Sequence, residues 1–544
     1  MDSSTPLSPD GTAETKTISE SVSFLSEEKS GELQKNGIAH SSSIDAQKKS
    51  EEEKGKSDDG APVVMLRREL GLLSAVGLIV SVMIGSGIFV SPKRVLENSG
   101  SVSLCLILWA SCGLISYIGA LAFAELSTVV QASGAEYACF QAAFTNHPRI
   151  HRFLAQLPSF TYIWVIVLLV RPAEVAILVL AFSEYLYTPI IDLLGLYLSP
   201  WREYFLKKLI ALLAISLITF INIMSVKLFV KIQNVISCLK IIACLCVIGG
   251  GMYGLIVGRT EHISRGFEGT KTNVKDLVLA FYNGLWAFDG WTSVTVVTEE
   301  IKNPNKNIPR SISIGVPLIT CLYFMMNVAY MTILSYDEIV SAPAVATLFA
   351  EKLFGPVAFL IPLAVALSSF GCGLSVQFGV SRLCFAAGRA GHMLQSLSFI
   401  HVRRLTPSPA VILQGVLSFA FILIGQINEL IEFVSFLIWI FYGLAMVALL
   451  VLRKTKADVP RPYKVPTIIP IFILIIAVVL AVIPLILSPA PQYLGAIGFI
   501  LVGIVVFYVC VYKNRCPSFM DKFTRFIQCL CQVVPAEKTA NRDN

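Results

Sequence analysis

The chain has 544 residues, of which 55% are hydrophobic and 15% charged, with a formal net charge of +7 and a mean hydropathy of +0.71. A water-soluble fold could not hide that much apolar surface. The nearly balanced charges of the first sixty residues give no footing to nucleic-acid binding.

In chain order, residues 1–65 come first. SSTPLSPDGTAETKT and SEEEKGKSDDG hold little to bury, which predicts a disordered cytoplasmic tail. No apolar h-region precedes the first span, so no cleaved signal peptide is expected. A bilayer crossing takes roughly 20 apolar residues. By that measure twelve transmembrane helices are expected, over 70–90, 103–127, 157–182, 208–225, 235–257, 277–298, 312–334, 356–381, 409–425, 430–452, 466–487 and 492–512. With the N-terminus inside, the inner loops hold 15 Lys plus Arg and the outer loops 10, the sign the positive-inside rule requires. Both termini are therefore expected in the cytoplasm. None of the 13 cysteines falls in an outer loop, and no Asn-x-Ser/Thr sequon occurs.

The first span contains SVMIGSGIFV, residues 81–90. Breaking a helix in lipid strands backbone groups and survives only where the break lines a protein-enclosed cavity. Gly85, Ser86 and Gly87 suit such a break, and the N–H groups opening the second half-helix would form a site for a carboxylate. Small residues also mark close helix packing, so this segment alone leaves both readings open. The sixth span, LVLAFYNGLWAFDGWTSVTVVTEE, carries Gly284, Asp289 and Gly290 near its middle. First and sixth are matched positions if the chain holds two five-helix repeats, and paired Gly-interrupted spans point to a secondary transporter's substrate site. One break would offer amides to a carboxylate and the other carbonyls to an ammonium, a pocket for an α-amino acid.

Charges within the spans are costly and call for a partner or a cavity. Asp289 reads as a counter-charge for a Lys, Arg or ornithine side chain, or as a member of an internal ion pair or hydrogen-bond network. Lys240 reads as a core ammonium or as a lysine snorkelling to the inner interface. Arg171 and Glu174, at i,i+3 in the third span, read as a pair along one helix. Glu299 and Glu300 end the sixth span near Arg310 and Arg382, as a gate latch or a solvated helix end. In the C-terminal tail, 513–544, Phe519, Phe523, Phe526, Ile527 and Leu530 share a helical face, which predicts an amphipathic helix on the membrane surface. Cys516, Cys529 and Cys531 there are candidates for acylation. No Cys/His spacing suggests a metal site, no cofactor is expected, and the absence of GxxxxGK[ST] gives no support to ATP-driven pumping.

IGSGIFVSP (84–92), GALAFAELS (119–127), SGAEYACF (133–140), VRP (170–172), SVKLFVKIQ (225–233), GLWAFDGW (284–291), VTEEIKNPNKNIPRSI (297–312) and RPYKVP (461–466) occur in order. The set resembles the light chains of heteromeric amino acid transporters, in the amino acid–polyamine–organocation superfamily. WAFDGW and IWIFYGL look most like the b-zero-plus type, which handles neutral and dibasic amino acids and cystine. The resemblance implies an all-α integral membrane protein over 66–512. Its five-plus-five inverted repeat would span about 70–257 and 277–452, with discontinuous helices 1 and 6 and two further helices over 466–512. It implies sodium-independent amino acid exchange at the plasma membrane, with no enzymatic activity. On matching residues it implies that Met83, Ile84, Gly85, Ser86 and Gly87 form one half of the substrate site. There Ser86 and Gly87 would meet the carboxylate, and the Met83 and Trp286 carbonyls the ammonium. Phe288 would be an aromatic gate, followed on the same half-helix by Trp291. The aspartate at 289 would be a specificity switch, since many neutral carriers have glycine there. Lys240, beside the break and the Ser368–Ser369 pair, would fill the space of a sodium ion. VVP at 533–535 resembles a C-terminal signature linked to folding and trafficking. One departure concerns the partner. The loop EYLYTPIIDLLGLYLSPWREYFLKK lacks the cysteine that tethers a glycoprotein heavy chain, so a non-covalent partner or none is expected. A carrier restricted to large neutral or aromatic amino acids and an amino acid-sensing receptor remain as alternatives. A channel would need repeated polar faces that the spans lack.

Overall fold

The computed structural model describes residues 70–130, 134–145, 151–195, 198–404, 406–487, 489–513 and 519–535. The expected tail over 1–65 and Cys516 lie outside them, and of Phe519, Phe523 and Glu299 only the backbone is described. The architecture is α-helical, as lipid demands of a chain that must satisfy its own backbone.

Nine helices among the described residues are long and apolar enough to cross a bilayer. A tenth would come from Leu72–Met83 and Gly87–Ser99, which meet at 53° across a short break. Each of the twelve expected spans falls on helix, ten by length when the bent pair is counted as one and two on shorter helices. The sixth falls on the 14-residue helix Val274–Ala287, about 21 Å long, and the ninth on the 17-residue helix Ser408–Ile424, about 26 Å, against a hydrocarbon core of about 30 Å. The third grows to a continuous run of 40 residues, Arg152–Ile191, with a π-helical turn at Ile166–Val170. The outer loop expected over 185–208 shrinks accordingly, because helix continues to Leu194 and resumes at Pro200. The fifth helix begins at Val226, where Ser225 caps the Leu228 amide, instead of at 235. Lys240 thus sits about 21 Å from that end, four turns in and out of snorkelling range.

The most extensive helix contacts join Arg171–Leu194 to Leu360–Arg389, Val102–Val129 to Pro304–Ile333, and Ile427–Thr455 to Ile468–Leu487, closely followed by Gly87–Ser99 with Val274–Ala287. Small residues permit the approach: a Cβ on Gly251 would lie 2.4 Å from the Ala329 Cα. Large apolar side chains stay exposed along Pro200–Met224 and Ile468–Leu487, among them Leu213, Phe220, Ile475 and Val478, as expected of lipid-facing surface.

Three further contacts close the bundle. Glu125 is fully buried and receives Arg453 through both carboxylate oxygens, at 2.8 and 2.5 Å, while the Val465 amide donates to it at 2.8 Å. Arg461 Nε stands 3.7 Å from the same carboxylate. GALAFAELS and RPYKVP are thereby joined. Leu70 bridges Ile301 in parallel: its amide donates to Glu300 O at 3.0 Å, and Lys302 N donates to its carbonyl at 2.9 Å. The predicted C-terminal helix spans Phe519–Cys531, and Val533–Pro535 pairs antiparallel with Phe399–His401.

Candidate functional site

The break in the first helical pair has an amide side and a carbonyl side. Gly87–Ser99 begins with no side-chain cap, and its earliest backbone bonds run from Phe89 and Val90 to Ser86 O. The amides of Ser86, Gly87 and Ile88 therefore precede the first intrahelical bond and present a partial positive charge. Ser86 is 1% exposed and its hydroxyl has no partner. A buried orphan hydroxyl beside uncapped amides is an arrangement that an anionic group would complete.

The carbonyl side of the break is met by three other helices. Lys240, fully buried, donates to Ser81 O. Tyr323 donates to Met83 O at 2.6 Å, and the Cys372 thiol points to Ile84 O at 3.8 Å. A cation at a helix C-terminus is favourably placed against the dipole. Of the residues on Leu360–Arg389, it is thus Cys372 that reaches the break. Ser369 bonds Val365 O on its own helix, and the Ser368 hydroxyl is buried without a partner, so neither meets the Lys240 ammonium.

The second break follows Val274–Ala287. Gly284 lies inside that helix, where a Cβ would stand 2.7 Å from Cys112 Sγ, so it serves packing. The chain turns instead at Gly290, with φ +102°, before the short helix Ser293–Val296. The two breaks touch: a Cβ on Gly87 would lie 2.5 Å from the Ala287 Cα. Met83 O already accepts from Gly85 N and Tyr323, and Trp286 O from Phe288 N and Asp289 N. Phe288 is fully buried against Tyr323 and Trp109, with ring centroids 5.0 and 6.0 Å away. Trp291 packs on Tyr442 and Phe123 at 4.8 and 5.0 Å.

A cleft opens on the Asp289 side, lined by Ser116, Trp286, Asp289, Trp439 and Tyr442 among others. Asp289 Oδ1 accepts from the Tyr442 hydroxyl at 2.8 Å. Arg171 Nη1 lies 2.5 Å from Glu174 Oε2, the pairing along one helix that the spacing suggests. Tyr162 donates to Glu136, which is 6% exposed. The charge of Asp289 acts on Arg171, Glu174 and Glu136 together. Sequence reasoning singled out Asp289, Arg171 and Glu174 but missed Tyr442, Ser116, Tyr323 and Cys372. Polar side chains on apolar helices were the available signal, without a means of telling which would face the breaks. Among the described residues no cluster of His, Cys, Asp or Glu could hold a metal ion.

Residues 70–511 match the amino acid permease family. The b(0,+)-type amino acid transporter 1 of Rattus norvegicus is 40% identical over 490 residues, 90% of this chain and 97% of that protein. The cystine/glutamate transporter of Homo sapiens is 36% identical over 488 residues, 89% of this chain and 94% of that one. The large neutral amino acids transporter small subunit 2 of Homo sapiens is 36% identical over 489 residues, 89% of this chain and 88% of its own length.

Proposed function

The chain belongs to the amino acid permease family, and from that premise we propose that it is a sodium-independent exchanger of neutral and cationic L-amino acids. The observation that carries the reading is the uncapped helix start at Gly87, with the orphan Ser86 hydroxyl beside it. These groups take the substrate carboxylate. The α-ammonium goes to the Met83 and Trp286 carbonyls, displacing donors that occupy them in the closed site. Phe288 gates the pocket, and Asp289 meets a basic side chain. The fixed Lys240 ammonium, seated on Ser81 O, holds one positive charge beside the break and removes the need for a sodium ion. The pairing of first with sixth, second with seventh and third with eighth expected spans supports two five-helix repeats that rock against one another. The protein would act at the plasma membrane with both termini inside and with a non-covalent glycoprotein partner or none, since residues 185–208 hold no cysteine.

Uptake into proteoliposomes, with and without sodium and with and without internal amino acid, tests the reading. Flux of radiolabelled arginine and leucine is expected, unchanged by sodium and stimulated by internal substrate. Asp289→Gly should cut arginine and lysine uptake at least about tenfold while sparing leucine, the scale of one charge-assisted contact. Equal loss of both would refute the counter-charge role. Saturable binding without flux would instead favour a receptor. The Tyr442 bond to Asp289 favours one second reading, a carrier of large neutral amino acids in which the carboxylate is satisfied internally.

A further inference from the structure

Among the described residues, the cleft beside Asp289 has that carboxylate as the one charged group in its lining, with Ser116, Tyr442 and apolar side chains around it. Arg171 lies among carboxylates: Glu174 and Asp289 act on it, and its guanidinium acts in turn on Glu136. Arg171 feels the charge of Asp289, yet its Nη1 is bonded at 2.5 Å to Glu174 on its own helix. Glu174 is 7% exposed, and a buried carboxylate holds its charge only against a close partner. Arg171 is also the first residue after the π turn Ile166–Val170, a local irregularity that re-aims side chains. Asp289 is left with a neutral donor, the Tyr442 hydroxyl. A second, independent feature points into the same cleft: Ser116, 2% exposed, lines it with a hydroxyl that has no partner.

We propose that Glu174 is the positioning residue of a subsite for cationic side chains. By holding Arg171 it leaves Asp289 free for the ammonium or guanidinium of a substrate, and Ser116 accepts a second hydrogen bond from the same group. Without Glu174, the guanidinium of Arg171 pairs with Asp289, and the subsite takes neutral side chains instead. The inference rests on the transport reading above.

The test compares radiolabelled arginine with leucine in proteoliposomes bearing the full chain. Glu174→Gln is expected to lower the arginine-to-leucine uptake ratio at least about tenfold, the loss of one charge-assisted pairing. Adding Arg171→Gln to it should bring the ratio back within about twofold of the parent, because the competing cation is gone. A Glu174→Gln chain that loses both substrates equally overturns the proposal. So does a double variant that carries leucine but does not recover arginine. If Glu174→Gln does not reach the membrane, Glu174→Asp, which keeps the charge and shortens its reach, should lower the ratio, and an unchanged ratio overturns the proposal. Failure of the parent to carry any amino acid would instead defeat the transport reading.

Discussion

Two glycines one residue apart do different work at the first break. A Cβ on Gly85 would find Cys372 Sγ at 3.5 Å, an ordinary contact, whereas one on Gly87 would meet the Ala287 backbone at 2.5 Å. Gly85→Ala should therefore melt near the parent temperature. Gly87→Ala should be destabilised by about 1–3 kcal/mol, the usual cost of overpacking, because backbone cannot yield as a side chain does. Thermal melting of the two detergent-solubilised variants checks this, and equal melting points would contradict the assignment. A loss of transport on replacing Gly87 thus reports on the seam between the broken helices as much as on substrate. The opposing residue lies two hundred positions away, so the sequence could flag Gly85–Ser86–Gly87 as a break without dividing its duties. The same holds for Gly284, which looked like part of the second break and packs on Cys112. Lys240 was ambiguous for a further reason: four turns of helix precede it, and several polar residues in them made the span appear to begin later.

Among elements, the clamp on Glu125 holds two segments that are far apart in sequence. One fully buried carboxylate meets Arg453, approaches Arg461 and accepts from the Val465 amide. Glu125→Gln would leave Arg453 buried beside a neutral partner, at a cost of about 3–5 kcal/mol by the measure of broken buried pairs. The expected result is a lowered melting temperature with substrate selectivity intact, read from melting and from the arginine-to-leucine ratio. A variant as stable as the parent would show the clamp to be dispensable. The motifs GALAFAELS and RPYKVP were legible in the sequence, but their union was not, because their apposition depends on how the intervening helices pack. Likewise VVP stood out as a signature, and its strand partner Phe399–His401 did not, since three residues carry no periodicity that betrays pairing. Most helices were readable from apolar runs alone. Of the two short ones, Ser408–Ile424 matched its expected bounds to one residue, whereas Val274–Ala287 was overestimated because apolar residues continue past the point where the backbone stops being helical.

At the scale of the whole molecule, the breaks are shut. Phe288 is covered by Trp109 and Tyr323, and Cys372 is buried against Ile84 O. On the proposed transport cycle this region is exposed in turn, which would make Cys372 a native reporter. Alkylation of Cys372 by a membrane-permeant maleimide, mapped by mass spectrometry, should be slow at rest and faster in exchange with substrate. Leu70→Pro, which deletes the amide that donates to Glu300 O, should speed it several-fold. A labelling rate indifferent to both would mean that Cys372 does not follow the opening of the break.

The bridge between Leu70 and Ile301 is made of main-chain atoms, two hydrogen bonds in all. At a net value of about 1 kcal/mol each, it biases the shut arrangement by only about thirtyfold. A hasp so light yields to thermal agitation. Its strength owes nothing to side-chain identity, so it would survive drift in the surrounding sequence.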